Sequence, residues 1–439
     1  MGEFKKSQIF FLGLQHVLAM YAGAVIVPLI VGSSLGLDTE HIAYLIGADL
    51  LTSGIATLLQ VWRNRVFGIG LPVVLGCTFT AVFPMIAIGK ELGLGAIYGA
   101  IIVSGLIVFL IAHWFGKLVR FFPPVVTGSI VTVIGVTLVP VAMNNLAGGV
   151  GTPDFGSPTN IILGVAVLAF ILILNRLFKG YIQAISVLLG LVFGTLVAAI
   201  MGLVDFAPVA AASWTHIPTP FYFGLPTFHG SAILTMTIVA MVSMVESTGV
   251  FLALGEICER KLTPKDLAHG YRAEGLASII GGIFNSFPYT TFSQNVGLVE
   301  LSKVRTTRVI TVCGLMLVLL GLAPKFAALA TIIPTSVLGG AMVAMFGMVC
   351  AAGIRMLGKA NFNDSNTMLV AACSITLGLG VTVTPNLFAQ FPSSVRILLE
   401  SGIVVGALTA VILNILFNYD EIKNYSLGSA LKERAEEKE

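Results

Sequence analysis

Apolar runs of about twenty residues recur along the whole chain, and this is the length that a helix needs to cross a bilayer. Fourteen such runs are found, at residues 8–31, 40–61, 70–88, 93–114, 123–142, 158–174, 183–203, 229–254, 271–286, 288–303, 307–323, 331–354, 365–383 and 396–417. Of the 439 residues, 56% are hydrophobic and only 10% are charged, whereas a soluble domain carries about 25% charge. The sequence therefore predicts an all-α polytopic membrane protein with fourteen transmembrane segments.

The lysine and arginine residues give the orientation. With the N-terminus inside, 21 of them fall in inside loops or at the termini, and only Lys90, Lys325 and Arg396 fall outside. This distribution follows the positive-inside rule and predicts that both termini are cytoplasmic, with a cytoplasmic tail at 418–439. It also explains the net charge of +3 without a nucleic-acid partner. The longest outside loop, 204–228, is expected to form an interfacial cap.

Two segments are too polar to be simple helices. Residues 286–308, SFPYTTFSQNVGLVELSKVRTTR, and residues 68–84, GIGLPVVLGCTFTAVFP, combine proline, threonine and aromatic residues, which favours short extended strands over continuous helix. Polar, irregular backbone at membrane depth is tolerated only where it is buried in protein or lines a cavity. The third and tenth spans are therefore predicted to be broken, with short strands, and to form a binding site for a small polar molecule.

The broken spans occupy matching positions in two halves of the chain. Pro123 follows Phe79 by 44 residues, and Pro334 follows Gln294 by 40. Interrupted segments at corresponding positions indicate a transporter with its site at the interface of two repeats. Seven spans per half is an odd number, so the second repeat must cross the membrane inverted. The alternative is chance similarity in a chain with 48 glycines.

One carboxylate lies deep within a predicted span. Around Glu246, no other charged residue occurs from residue 233 to residue 255. A charge at the bilayer centre costs about 2.5–3.5 kcal/mol on insertion scales, so such a residue is a functional hypothesis by default. The alternative is a buried carboxylate that only satisfies backbone groups.

Four other polar residues inside spans each have two interpretations. Glu274 opens the ninth span and is either part of a proton relay or a helix N-terminal cap. Asp49 is either a relay or a residue packed among small neighbours with hydroxyl partners. Gln15 and His16 lie in the first span, where the histidine has either a direct proton role or a structural role near the site.

No enzymatic or metal-binding pattern stands out. The sequence shows no Ser-His-Asp arrangement, no metal-ligand cluster and no phosphate loop. The five cysteines have neither metal-ligand nor disulfide spacing; they are Cys77, Cys258, Cys313, Cys350 and Cys373. The chain is therefore predicted not to be an enzyme, and to need no cofactor or metal.

The segment 294–303, QNVGLVELSK, resembles the signature of the nucleobase–ascorbate transporter family, in which Gln, Glu or Pro precedes Asn-x-Gly-x4-Thr and then Arg, Lys or Gly. Ser302 stands where the family has threonine and keeps the hydroxyl. The pair Gln15-His16 is similar to the family's first-span pair, and Glu246 matches its eighth-span carboxylate. Glu274 matches a ninth-span acid that is usually Asp. The resemblance covers nearly the whole chain.

The resemblance implies a core domain and a gate domain, each built from both repeats, and a homodimer in the bacterial cytoplasmic membrane. The implied core comprises 8–122 and 229–323, and the implied gate comprises 123–228 and 324–417. It also implies proton symport of a purine nucleobase, driven by the proton gradient. Gln294 at the first motif position resembles the xanthine and urate branch, and the chain looks closest to bacterial xanthine permeases. Urate, guanine and uracil remain alternatives.

A dioxopurine offers alternating N–H donors and C=O acceptors on a flat ring. We expect Gln294 to pair with it through both halves of its amide, Glu246 to accept from ring N–H groups, and Phe79 to stack on it. Backbone amides near Thr78 and Ser293 supply further donors. The remaining predicted roles are proton coupling by Glu246, Glu274 and His16, and support of the site by Gln15, Asn295, Gly297 and Asp49.

Three other functions are weighed against nucleobase transport. A sulfate-type anion carrier of the same architecture requires a cationic or helix-dipole site, whereas the deep groups here are acidic or neutral. A membrane enzyme or sensor lacks a catalytic motif. A channel is disfavoured, because a buried carboxylate with a pairing amide suits binding better than fast permeation.

Overall fold

The computed structural model describes residues 5–118, 121–384 and 386–418. Beyond residue 418, the predicted cytoplasmic tail lies outside the described residues. The described chain is mostly helical, and the two short strands occur where the sequence predicts broken spans. This confirms the predicted all-α polytopic fold with extended pieces in the third and tenth spans.

The first half of the chain contains ten α-helices and one strand among the described residues. In chain order these are α1 (Lys6–Ser34), α2 (Thr39–Val61), β1 (Leu75–Cys77), α3 (Val82–Leu92), α4 (Leu94–Leu118), α5 (Pro124–Thr137), α6 (Val139–Leu146), α7 (Pro158–Leu177), α8 (Tyr181–Ala184), α9 (Ser186–Ile200) and α10 (Ala207–Ala211). A single 3-10 turn, Phe79–Ala81, joins β1 to α3.

The second half repeats the order of a helix pair followed by a strand. Its elements are α11 (Gly230–Ile257), α12 (Pro264–Ile283), β2 (Tyr289–Thr291), α13 (Ser293–Ser302), α14 (Thr307–Gly321), α15 (Pro324–Thr331), α16 (Thr335–Leu357), α17 (Ser365–Val383), α18 (Ser393–Leu399) and α19 (Gly402–Phe417). Within the described residues, eight helices are long and apolar enough to cross a membrane, and two bent pairs, α14–α15 and α18–α19, raise the number to ten. The count of fourteen spans stays a prediction.

Helix packing follows the proposed repeat. A shift of one repeat carries α2 to α12 and α4 to α14, and the structure packs α2 against α14 and α4 against α12. The helices that follow the broken spans, α5 and α16, pack against each other. Equivalent elements therefore make equivalent contacts, as a 7+7 inverted repeat requires.

The two equivalent crossings are both made at glycines. A Cβ on Gly54 of α2 would lie 2.6 Å from the carbonyl oxygen of Gly314 on α14, and a Cβ on Gly105 of α4 would lie 2.7 Å from the carbonyl oxygen of Gly275 on α12. Small residues let membrane helices approach closely and gain van der Waals contact. These four glycines hold the helices around the strands at short distance.

Strands β1 and β2 pair antiparallel in the register Leu75 to Thr291 and Cys77 to Tyr289. The pair packs against α1, α2, α11 and α12, all of which belong to the predicted core domain. Residues of both strands are buried. Each strand gives its neighbour the backbone partners that a broken helix lacks, which is why extended backbone is tolerated at this depth.

A charged cluster on the predicted cytoplasmic side joins the loop between α2 and β1 to the loop between α11 and α12. Asp266 Oδ1 accepts from Arg63 Nη2 at 2.6 Å and from Arg260 Nη2 at 3.0 Å, and its Oδ2 accepts from the Thr263 amide at 2.9 Å. Arg260 also donates to the Ile69 carbonyl oxygen at 3.0 Å. Burial raises the pKa of Asp266, but its Thr263 hydrogen bonds and the two arginines outweigh burial and hold the pKa below its ordinary value of 3.8.

The outer loop 204–228 packs onto α2 and onto the residues that follow α12. The Tyr44 hydroxyl on α2 donates to the Thr219 carbonyl oxygen at 2.8 Å, and the Tyr44 and Tyr222 rings stack with centroids 3.9 Å apart. The Phe223 amide donates to Asn285 Oδ1 at 3.2 Å. The loop thus covers one end of the helices that surround the strands, in agreement with the predicted cap.

Candidate functional site

The two strands end side by side, and each releases the chain into a short helix. The Thr78 amide donates to the Pro288 carbonyl oxygen at 3.0 Å, and the Phe292 amide donates to the Val74 carbonyl oxygen at 2.9 Å, so the pairing continues past both strands. Helix α13 begins at Ser293, and no side chain of the described residues caps its N-terminus. The first amides of such a helix are free donors.

A partly open cavity lies at these strand ends, with about 460 Å³ of space between atoms when the open solvent at its mouth is included. Its walls come from the β1 region, α11, the β2–α13 region, α5 and α16. The lining residues are Cys77, Thr78, Phe79, Thr80, Val131, Ile134, Glu246, Thr290, Thr291, Phe292, Ser293, Gln294 and Val349.

All five residues predicted to bind substrate line this one cavity; they are Thr78, Phe79, Glu246, Ser293 and Gln294. Glu246 comes from the middle of α11, whereas Gln294 comes from the first turn of α13. The Phe79 ring is held edge-on against Phe346 of α16, with centroids 5.6 Å apart. The structure therefore brings a carboxylate, an amide and an aromatic ring together from parts of the chain that are 48 to 215 residues apart.

Two hydroxyl groups near Glu246, those of Thr80 and Ser243, are not predicted from the sequence. Thr80 Oγ1 lies 2.6 Å from Thr78 Oγ1 and 3.0 Å from Ser243 Oγ, which is one helical turn before Glu246. The spacing of three residues between Ser243 and Glu246 places both on one face of α11, and this is the signal that could have found Ser243. The hydroxyls fix the floor of the cavity next to the carboxylate.

Glu274 does not line the cavity, but it is connected to the cavity wall. Its carboxylate is hydrogen-bonded to Ser247, and its Oε1 has no partner among the described residues. Ser247 Oγ also lies 3.0 Å from Thr290 Oγ1 and 3.2 Å from Thr291 Oγ1. One serine therefore joins Glu274 to strand β2, directly behind Glu246 on α11.

His16 and Asn295 form a second group outside the cavity. Asn295 Nδ2 lies 3.0 Å from both the His16 ring Nδ1 and the His16 carbonyl oxygen, and both residues are buried. Gln15 is next to this pair on α1 and is half-buried. The arrangement ties α13 to α1, and neither Asn295 nor His16 is among the residues that line the cavity.

One side of the cavity is open. Gly249 and Gly297 each follow a lining residue by one helical turn, and a Cβ placed on either would have nothing within 4 Å. Ser293 is itself exposed. These positions are therefore not covered by other described residues. Asp49, the remaining predicted support residue, is buried behind the strands and outside the cavity lining.

Comparison with known proteins gives a consistent result across the whole length. The model of a permease family matches residues 7–387. Nucleobase transporter PlUacP of Paenibacillus larvae is 62% identical over 94% of this chain and 95% of that protein. In Bacillus subtilis, the xanthine permease is 59% identical over 93% of both chains, and the uric acid permease PucK is 59% identical over 93% of this chain and 95% of that protein.

Solved structures with the same fold are more distant in sequence. The transmembrane domain of the cyanobacterial bicarbonate transporter BicA superposes with a TM-score of 0.63 at 16% identity, over 88% of this chain and 98% of that chain. The murine anion transporter Slc26a9 in its inward-facing state gives a TM-score of 0.61 at 12% identity, over 94% of this chain and 69% of that chain. At these identities the likeness extends to the fold alone.

Proposed function

Because the chain belongs to the permease family whose motifs it carries, that of the nucleobase–ascorbate transporters, we propose that it imports xanthine by proton symport. The family match supports nucleobase transport and a multi-pass membrane location, and it gives no support to an enzyme. Xanthine as the substrate, protons as the coupling ion and a homodimer as the assembly are our proposals.

The observation that carries the proposal is the convergence of Glu246 and Gln294 on one cavity with Phe79. The Glu246 carboxylate accepts hydrogen bonds from one or two ring N–H groups, and a charged acceptor makes stronger hydrogen bonds than a neutral one. The amide of Gln294 pairs with an adjacent N–H and C=O, since it offers a donor and an acceptor side by side. Free amides at the start of α13 and hydroxyls of Thr78 and Ser293 complete the set.

These groups would give selectivity, because a ligand without the matching donors and acceptors would leave them unpaired. A site built to hydrogen-bond a substrate rejects an analogue that lacks the matching group by far more than a hydrophobic pocket can. The described lining contains one carboxylate and neither lysine nor arginine. This favours a neutral ring with N–H donors over an inorganic anion, even though the fold is shared with anion transporters.

Proton coupling is assigned to Glu246. An ionised carboxylate at this depth is unfavourable unless it is paired. Protonation and substrate binding therefore each lower the free-energy cost of moving Glu246 across the membrane. Glu274, joined through Ser247, and His16 behind the wall are the proposed partners in the proton's path. The core domain then moves against the gate domain, to which Val131, Ile134 and Val349 of the lining belong, so that the site faces each side in turn.

The test is uptake of radiolabelled xanthine into proteoliposomes with a proton or a sodium gradient imposed separately. One coupled proton supports at most about tenfold accumulation per pH unit. Glu246→Gln should abolish accumulation driven by the pH gradient, while the matched variant Glu300→Gln, at an exposed position on α13, should accumulate normally. Gradient-driven accumulation by Glu246→Gln at the wild-type level would show that the coupling role is wrong.

Uric acid is the second candidate, because a uric acid permease is as similar to this chain as the xanthine permease is. Uric acid adds an oxygen to the five-membered ring of xanthine, and the residues that line the cavity do not separate the two ligands. Competition of labelled xanthine uptake by unlabelled urate, guanine, uracil and sulfate ranks these ligands directly. Strong competition by sulfate with none by purines would overturn nucleobase transport itself.

A further inference from the structure

A buried carboxyl group lies against the strand pair and is not part of the cavity lining. Asp49 of α2 has no exposed surface. Its Oδ1 accepts from the Tyr289 hydroxyl at 3.0 Å and from the Ser286 hydroxyl at 3.2 Å, and these two hydroxyls lie 2.8 Å from each other. The Thr52 hydroxyl, one turn along α2, also contacts the Tyr289 hydroxyl. Two hydroxyls, those of Tyr289 and Ser286, therefore converge on one carboxyl oxygen.

The residues held by Asp49 are those that place the transport site. Tyr289 is the first residue of β2 and pairs with Cys77, the last residue of β1. Thr78 follows Cys77 directly, and Ser293 lies four residues beyond Tyr289. A shift of Tyr289 along the strand direction would move both ends of the cavity floor together, because the strands are only three residues long.

Asp49 is poorly placed to carry the transported proton. Asp49 is absent from the cavity lining, and its hydroxyl partners are Tyr289 and Ser286, whereas the Ser247 hydroxyl contacts Thr290 and Thr291. None of the described salt bridges includes Asp49. Asp49 therefore provides a hydrogen-bond acceptor at a fixed position along α2.

We propose that Asp49 is a positioning residue for the transport site, which holds Tyr289 and Ser286 through hydrogen bonds and takes no part in proton transfer. This proposal rests on the proposed function for its transport readouts, and it decides between the two roles that the sequence left open for Asp49. An amide oxygen can replace the carboxyl oxygen as acceptor. Asp49→Asn should therefore preserve the position of β2, whereas Asp49→Ala should release it.

The first experiment measures xanthine uptake in proteoliposomes. Asp49→Ala, which removes the hydrogen bonds from both Tyr289 and Ser286, and Tyr289→Phe, the smaller change, should each raise KM by about tenfold or more, with maximal rate and accumulation per pH unit retained. Asp49→Asn should keep KM within a factor of about three. The matched control is Ser53→Ala on the same helix, because the Ser53 hydroxyl is buried without a partner among the described residues.

A second readout does not depend on the substrate. Ser293→Cys is labelled by a maleimide after replacement of the partly exposed Cys258, Cys350 and Cys373. The labelling rate should change when Asp49→Ala or Tyr289→Phe is added and stay constant with Asp49→Asn. If the wild-type protein does not transport purines, the labelling rate still tests the positioning role of Asp49. Failure of the proposed function can therefore be distinguished from failure of the positioning role.

Two results would overturn the positioning role. One is loss of gradient-driven accumulation in Asp49→Asn with substrate exchange retained, which would make Asp49 a proton carrier. The other is wild-type KM and wild-type labelling in Tyr289→Phe, which would make the hydrogen-bond network irrelevant to the site. If Asp49→Ala does not fold, Tyr289→Phe alone decides.

Discussion

Replacing Gly76 by alanine tests whether the strand pair sets the geometry of the cavity. Gly76 is the middle residue of β1 and lies opposite Thr290. A Cβ at this position would lie 2.7 Å from Cδ2 and 2.9 Å from Cζ of Phe292, and closer still to Cε2. The backbone of Gly76 has no positive φ, so alanine is tolerated locally, and only the contact with the ring opposes it.

The Phe292 ring has little room to move. Gly23 of α1 lies on its other face, where a Cβ would be 2.7 Å from Cε1, and the residue is 4% exposed. The ring must shift by on the order of 1 Å to restore ordinary contact, and overpacking of this kind costs about 1–3 kcal/mol. Phe292 precedes Ser293 and Gln294, so the shift moves the start of α13.

We expect Gly76→Ala to raise the KM for xanthine by about ten- to a hundredfold, since a 1 Å misplacement at a site can cost about a hundredfold. The assay is the initial rate of uptake into proteoliposomes over a range of concentrations, after size-exclusion chromatography confirms that the variant is folded. Gly297→Ala is the matched control, because it is near the same site and its Cβ would have nothing within 4 Å.

The steric cause can be separated from any other effect of the alanine. Adding Phe292→Leu to Gly76→Ala removes the ring atoms that the new Cβ meets, and it should restore part of the affinity. Wild-type KM in Gly76→Ala would refute the reasoning outright. Equal loss in the single and the double variant would show that the ring is not what transmits the change.

Two further predictions concern the ends of the helices. Asp266→Asn should destabilise the detergent-solubilised protein by about 1–3 kcal/mol, because Asp266 accepts charged hydrogen bonds. The pKa of Asp266 is lower in the folded protein than the ordinary 3.8, so this advantage is complete above pH 3.8 and is lost as pH falls through the lower folded value. The difference between the unfolding temperatures of the two proteins should therefore shrink as pH falls below 3.8. Arg396→Gln removes ion pairs to Glu91 of α3 and to Glu400. It should speed labelling of a cysteine placed where α18 contacts α3, and an unchanged rate would mean that these pairs do not hold the two helices together.

Much of the site was accessible from sequence because its chemistry is exceptional for a membrane span. Glu246 and Gln294 stand out as polar groups within apolar runs, and the broken spans stand out through proline and threonine. Burial of such groups within a membrane is energetically unfavourable, so composition alone identifies them as candidate functional residues. The sequence did not distinguish the roles of Glu274 and Asp49, since depth along a span says nothing about which face of a wall a side chain occupies.

The amino-acid sequence by itself determined the helical membrane fold, the two broken spans and the polar residues of the cavity, because bilayer length and the cost of buried polar groups act on each segment locally. Only the tertiary structure decided that Ser243 and Thr80 lie beside Glu246, that Val349 closes the cavity from α16, and that Asp49 is behind the strands. These contacts join distant segments through glycine crossings and a strand pair only three residues long. Such elements are too short to carry a periodic pattern, so their register is set by packing.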